Sequence, residues 1–282
     1  QNRYDAPAFA LPCILQTDLD TNSCPESERR PAETSSSPMR DRDPRPLRKA
    51  FRAGNLLLVA ALILLVTPTT KADLTAERVL VDRLATAAPN LDRSVLGKAV
   101  AAMHCAVRGG AEPAERLAVI DFSLPSSTPR LWILDLSSHE LLVEELVAHG
   151  QGSGDNFATR FSNTVGSHQS SIGLFRTQES YVGRHGYSLR MDGLEAGIND
   201  RARERAIVIH AADYVDSSWV ERQGRIGRSQ GCPAVRPEIV ATVVDSLKNG
   251  QYLFTYYPDQ DWLASSTYLN CQPGIIASLT SD

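Results

Sequence analysis

The sequence predicts an α+β fold, mainly β with flanking helices and a small N-terminal helical lead-in. Three observations carry this. Apolar residues recur at helical spacing from Asp73 to Gly109, short apolar strand-like runs replace them beyond Pro113, and an amphipathic helix followed by a strand closes the pattern. The 282 residues would suffice for two average domains, but the first quarter offers little to a core. One catalytic-sized domain over 113–282, preceded by a lead-in over 73–112, is the expectation.

In chain order, LTAERVLVDRLATAAP sets Leu74, Val79, Leu80, Leu84 and Ala88 near one helix face. LDRSVLGKAVAAMHCAV repeats the pattern with Val95, Leu96, Ala99, Val100, Met103 and Val107. Pro89 and Asn90 separate the two helices, and Gly109-Gly110 ends the second. RLWILDLSSHELLVEELVAHG reads as a hairpin: Leu131, Ile133 and Asp135 alternate against Trp132 and Leu134, a turn falls at Ser137 to Glu140, and the chain returns from Leu141 to Ala148. Gly150 to Gly173, rich in Gly, Ser, Asn and Thr, predicts a long surface loop, and loops of that length inside a domain are usually functional. AIVIH, ending at His210, is a buried strand. RPEIVATVVDSLKNG gives a helix with Ile239, Val240, Val243, Val244 and Leu247 as its apolar face and Gly250 as its stop, and QYLFTYYP gives the closing strand.

The formal net charge is −4 and basic residues are interspersed with acidic ones, which argues against a nucleic-acid partner. RPLRKAFRAGNLLLVAALILLVTPTTKAD has the parts of a secretory signal over 45–72: basic Arg45, Arg48, Lys49 and Arg52, apolar Leu56 to Val66, and a cleavage site at Thr70-Lys71-Ala72. The apolar run falls short of the roughly 20 residues that span a bilayer. Export to the periplasm or cell envelope is therefore expected, with membrane attachment only if the segment stays uncleaved. Residues 1–44 read as disordered or untranslated, with Met39 as an alternative start. After cleavage Cys105, Cys232 and Cys271 remain, an odd number that implies one free thiol. Cys105 and Cys271 stay open between a disulfide and two separate buried thiols.

Cys232 is the natural free one. GRSQGCPAV holds it between a glycine and a proline in a polar, turn-forming stretch, unlike the Val, Leu and Ala around a structural thiol. A cysteine nucleophile needs a base, and His210 at the end of an apolar strand is the best placed partner. Gly231 lets the backbone approach a ligand and Pro233 has no N–H, so an oxyanion hole here would use the amides of Gly231 and Cys232. Arg228, Ser229 and Gln230 precede the nucleophile and are candidate substrate-binding residues, with Tyr187 and Arg190 in HGYSLRMDG as candidate walls of the cleft. His149, His168 and His185 read as loop-packing histidines. Neither Cys-x-x-Cys nor His-Glu-x-x-His occurs, so no metal or cofactor is expected.

HAADYV followed by GRIGRSQGCPAV resembles the His and Ser-x-Gly-Cys motif of the YkuD-type L,D-transpeptidase catalytic domain, particularly its murein L,D-transpeptidase subgroup. ILDLSSHELL, AHGQGSGDNFATRFSN, GSHQSSIGLF, GRHGYSLRMDGLE and NDRARERAIVIH resemble that subgroup in order and spacing, from about Arg130 to Pro258. Gln230 stands where many members carry His, and Pro233-Ala234 where many carry a hydrophobic residue followed by Arg or Asn. The resemblance implies a sandwich-like or barrel-like β domain and acyl transfer on peptidoglycan stem peptides, as both donor and acceptor. Cys232, activated by His210, would release a terminal D-alanine, hold the stem as a thioester and pass it to an acceptor amine as a 3-3 cross-link. Hydrolysis of that thioester, an L,D-carboxypeptidase activity, is the alternative, and a catalytically silent envelope-binding module is the non-enzymatic one.

Overall fold

The computed structural model describes residues 69–271, with side chains of the first helix from residue 75 onward. The region 1–44, most of the expected signal over 45–72 and the side chain of Leu74 lie outside the described residues. Two helices open the described chain, α1 (Thr69–Ala87) and α2 (Arg93–Arg108). Asp92 caps α2 by accepting from the amides of Ser94 and Val95, which satisfies donors that have no partner within the helix. Val81, Leu84 and Ala88 are buried but Val79 is 45% exposed, so Val79 does not belong to the apolar face. It lies five residues from Leu84, about 140° round a helix.

Eight strands follow: β1 (Arg116–Asp121), β2 (Leu131–Asp135), β3 (Leu141–Glu145), β4 (Gly173–Gly183), β5 (Gly186–Gly193), β6 (Val208–Ala211), β7 (Ala234–Val235) and β8 (Tyr252–Tyr256). They form one mixed sheet in the order β3-β2-β1-β8-β4-β5-β6-β7, parallel at β1 with β8 and at β6 with β7. The segment after β3 bridges back to β7 through Ala148 and Ala234, so the sheet nearly closes on itself like a barrel. Three short α-helices complete the described residues, α3 (Ser217–Gln223), α4 (Val240–Leu247) and α5 (Gln260–Ser265). α2 packs on β1, β4 and β8, whereas α4 touches β5, β6 and β1, strands from both halves of the sheet, which therefore curves around it.

β1 and β2 are buried on both faces, apart from a half-buried Arg116. The expected inward and outward alternation in β2 is absent, because a strand covered on both sides reads as a continuous apolar run. The return strand ends at Glu145, earlier than Ala148. Helices and sheet share one hydrophobic core, from Val81 and Leu84 through Trp132, Phe175 and Phe254 to Trp262. Cys105 on α2 and Cys271 are joined in a disulfide, which ties the lead-in to the end of the described chain. Among the described residues no helix is long and apolar enough to cross a membrane.

Candidate active site

Cys232 and His210 meet in one cleft of about 580 Å³, whose lining also includes Gln151, His168, Tyr181, Arg184, His185, Arg205, Tyr214, Arg228, Ser229 and Gln230. The strands bring them together. β6 and β7 run parallel with His210 opposite Ala234, two residues beyond the cysteine, so a strand pairing fixes both groups on adjacent backbones. His210 is 4% exposed. Its Nδ1 lies 2.8 Å from the Ala211 carbonyl. A carbonyl can only accept, so Nδ1 carries the proton and Nε2 is left with its lone pair.

The Cys232 thiol rests on the backbone beside β6. Its S–H donates to the Ala206 carbonyl at 3.7 Å, and the Val208 N–H donates to the sulfur at 3.5 Å. Sulfur makes only weak hydrogen bonds, so these contacts can be exchanged at little cost. Burial pushes the Cys232 thiol up, against smaller downward pulls from the Val208 amide and the Arg205 charge. Burial also pushes the His210 imidazole down, reinforced by His185, while its bond to Ala211 opposes the shift. Both groups are therefore neutral at rest, a thiol and a base that can take its proton.

The turn that presents the sulfur is closed by its own side chain. Ser229 Oγ accepts from the Gly231 N–H at 3.0 Å and donates to the Cys232 carbonyl at 2.6 Å. The expected oxyanion donor at Gly231 is thus engaged inside the turn, whereas the Cys232 N–H has no hydrogen-bond partner among the described residues. The Ser229 hydroxyl is likewise consumed in shaping the loop. Arg228 donates to the Gly154 carbonyl and pairs with Asp155 at 2.9 Å, and Gln230 is exposed at the cleft.

Tyr187 and Arg190 are not cleft walls. Three residues apart on β5, they project from opposite faces of the strand. The Tyr187 hydroxyl donates to Asp245 on α4 at 2.7 Å, and Arg190 pairs with Glu179 at 3.1 Å while lying over the Tyr181 ring. His185, at the β4–β5 turn, is instead a cleft residue, with its ring centroid 4.5 Å from that of His210. Nothing local in HGYSL signals this, since the contact arises from the hairpin folding across β6.

The Gly150–Gly173 stretch is irregular, but it is not simply surface, because Ser153, Ser170 and Ser171 are buried. Ser170 Oγ accepts from the Gly150 N–H and donates to the Gly231 carbonyl, both at 3.0 Å, so the loop braces the Gly231–Cys232 turn from behind. A Cβ on Gly150 would lie 2.3 Å from the His168 carbonyl oxygen and 2.8 Å from Gly231 Cα. Backbone cannot yield as a flexible side chain does. Gly150→Ala is expected to destabilise the fold by about 1–3 kcal/mol and, through displacement of the turn, to change the rate at which Cys232 forms covalent adducts by about tenfold or more. Urea denaturation and adduct kinetics on the same variant check this.

Among the described residues no group of three or more His, Cys, Asp or Glu side chains is placed to hold a metal ion. A family model of the L,D-transpeptidase catalytic domain matches residues 87–256, more than half of the sequence and the whole of this site. The chain belongs to the L,D-transpeptidase catalytic domain family. The matched residues include α2, β1 to β8, His210 and Cys232. A search of the curated proteins finds no match.

Solved structures of L,D-transpeptidases are similar at low identity. One from Mycobacterium smegmatis is 16% identical with TM-score 0.32, covering 51% of this chain and 59% of its own. One from Xylanimonas cellulosilytica is 16% identical with TM-score 0.30, covering 54% and 68%. One from Stackebrandtia nassauensis is 11% identical with TM-score 0.31, covering 63% and 76%. The chain thus spans 59% of the first of these relatives, and likeness at this level carries no argument about the site.

Proposed function

We propose that this L,D-transpeptidase domain acts on peptidoglycan stem peptides through a thioester on Cys232, with His210 as general base and then general acid. The observation that carries the reading is a tautomer: with Nδ1–H held by the Ala211 carbonyl, His210 offers Nε2 as a base in the same cleft as the only free cysteine among the described residues. The sulfur attacks the carbonyl on the L-centre of the third residue of a donor stem, passing its proton to His210, and the oxyanion forms near the unpartnered Cys232 amide. The C–N bond to D-alanine breaks as His210 protonates the leaving amine. An acceptor amine then attacks the thioester, gives its proton to His210, and the sulfur leaves and is reprotonated, completing a 3-3 cross-link.

Export is part of the same proposal. The basic and apolar run over 45–72 supports it, as does the Cys105–Cys271 disulfide, since such bonds persist in oxidising compartments. Mass spectrometry of muropeptides incubated with the purified protein tests the function. Dimers joined 3-3 are the expected product, tripeptides alone would replace the transferase with an L,D-carboxypeptidase, and unchanged muropeptides would overturn both.

A further inference from the structure

Arg205 immediately precedes the segment whose carbonyl and amide hold the Cys232 sulfur, Ala206 to Val208. Its guanidinium reaches back into the loop bracing the nucleophile turn. Nη1 donates to Ser171 Oγ at 2.6 Å and to the Ser162 carbonyl, and Nη2 donates to the Gln169 carbonyl and to Ser167 Oγ at 3.3 Å. All four acceptors are neutral. The neighbouring arginines are satisfied differently, Arg201 by Glu204 and Arg203 by Asp192, whereas Arg205 has no ion pair among the described residues. The guanidinium also abuts the turn, because a Cβ built on Gly231 would lie 3.5 Å from Arg205 Nη2 and 2.8 Å from the Gln169 carbonyl oxygen that Nη2 binds. A half-buried cation thus stands behind the turn, with its charge uncompensated.

We propose that Arg205 is a positioning residue for the nucleophile, binding the 162–171 loop to the back of the Gly231–Cys232 turn and directing an uncancelled positive charge at the sulfur. Neutral acceptors fix the guanidinium without cancelling its charge, which a carboxylate would do. Negative charge appears at Cys232 twice in the proposed cycle, as thiolate and as adjacent oxyanion, and a fixed cation in a partly desolvated site favours both. The direction of mutual influence agrees: Arg205 pulls the thiol down, and Cys232 pulls the guanidinium up against its burial. The other ionisable groups in the same cleft are His210 on β6, Tyr181 on β4, His185 and Arg184 at the hairpin tip, Tyr214 after β6, and Arg228 and His168 from the loops. None of these donates into the 162–171 loop, to which His168 itself belongs. The proposal rests on Cys232 being the nucleophile.

The test is the pH dependence of iodoacetamide alkylation at Cys232, read by peptide mass spectrometry on the full chain so that other cysteines do not interfere. Arg205→Gln is expected to raise the alkylation midpoint by about one pH unit or more. Arg205→Lys, which keeps the charge without the fork, should raise it less. Ser171→Ala, which removes one bond of the anchor and keeps the charge, should leave it in place. A midpoint in Arg205→Gln equal to wild type overturns the proposal, as does a Ser171→Ala shift as large as that of Arg205→Gln. Arg205→Met replaces Arg205→Gln if the latter lacks a native circular dichroism spectrum, and loss of fold in both would assign Arg205 to structure alone and overturn the proposal as well. Because alkylation needs no substrate, an inactive wild-type protein would remove the transpeptidase reading without touching this result.

Discussion

A Cys232→Ala chain is expected to form no covalent adduct with a carbapenem and to leave muropeptides unaltered, while His210→Gln should slow adduct formation about 10²–10⁴-fold. The two differ because one removes the bond-forming atom and the other only the proton acceptor. In the resting site the thiol is pushed up and the imidazole down, both chiefly by burial, so the pair is neutral. In the proposed mechanism the proton then moves to Nε2 as the sulfur attacks. The pH dependence follows. A neutral His210 is required, and its folded value lies below the ordinary 6.5, so acylation should hold into mildly acid solution and fall only as pH drops through that lowered value. Intact-mass kinetics with a carbapenem from pH 4 to 8 measures all three quantities. An adduct in Cys232→Ala, or a wild-type profile with its midpoint above 6.5, would count against the assignment.

The parts of the site set by local chemistry are the parts that can be read from sequence. A thiol between glycine and proline is legible because turn residues are rare around structural cysteines, and AIVIH is legible because an apolar run ending in a histidine delivers that ring at a strand end. What sequence does not show is created by strands meeting across the sheet. Tyr187 and Arg190 are one motif on paper but lie on opposite faces of β5, and His185 becomes a neighbour of His210 only through the β4–β5 hairpin. The Gly150–Gly173 loop misleads for a related reason, since its serines are polar enough to suggest surface yet are buried bonding backbone, Ser170 that of Gly231 in the nucleophile turn and Ser153 and Ser171 that of the loop itself. β1 escapes notice because Leu117 to Ile120 is a short apolar run with no alternation, the mark of a strand covered on both faces. Arg205 carries a faint signal, an arginine placed directly before an apolar strand, but its role depends on four acceptors from a loop more than 30 residues earlier in the chain.

Acid is expected to destabilise the fold through His149 by about 4–5 kcal/mol between pH 6.5 and 3. His149 is fully buried, and its Nδ1 lies 2.7 Å from Arg130 Nη2. A guanidinium only donates, so Nδ1 must accept and the ring must be neutral, with Nε2–H turned toward the Gly154 carbonyl at 3.4 Å. Arg130 is itself buried, held by the Leu124 and Val147 carbonyls, and burial lowers it to about 9, so it remains charged at neutral pH. Burial first and the Arg130 charge second bring His149 down to about 3 from an ordinary 6.5. The unfolded chain therefore binds a proton below pH 6.5 that the folded chain refuses until about pH 3, and stability falls as pH falls through that window. His149→Gln isolates the effect, because the amide can accept from Arg130 and donate to Gly154 but does not titrate. In urea denaturation the variant should be the less stable at pH 7, and that deficit should shrink by about 3 kcal/mol on moving to pH 4. A deficit that stays constant over this range would show that His149 already titrates alike in both states. The same pair fixes the active-site loop, because the His149 carbonyl accepts the Ser229 N–H at 2.9 Å, so acid that protonates His149 should loosen the nucleophile turn before the sheet itself unfolds.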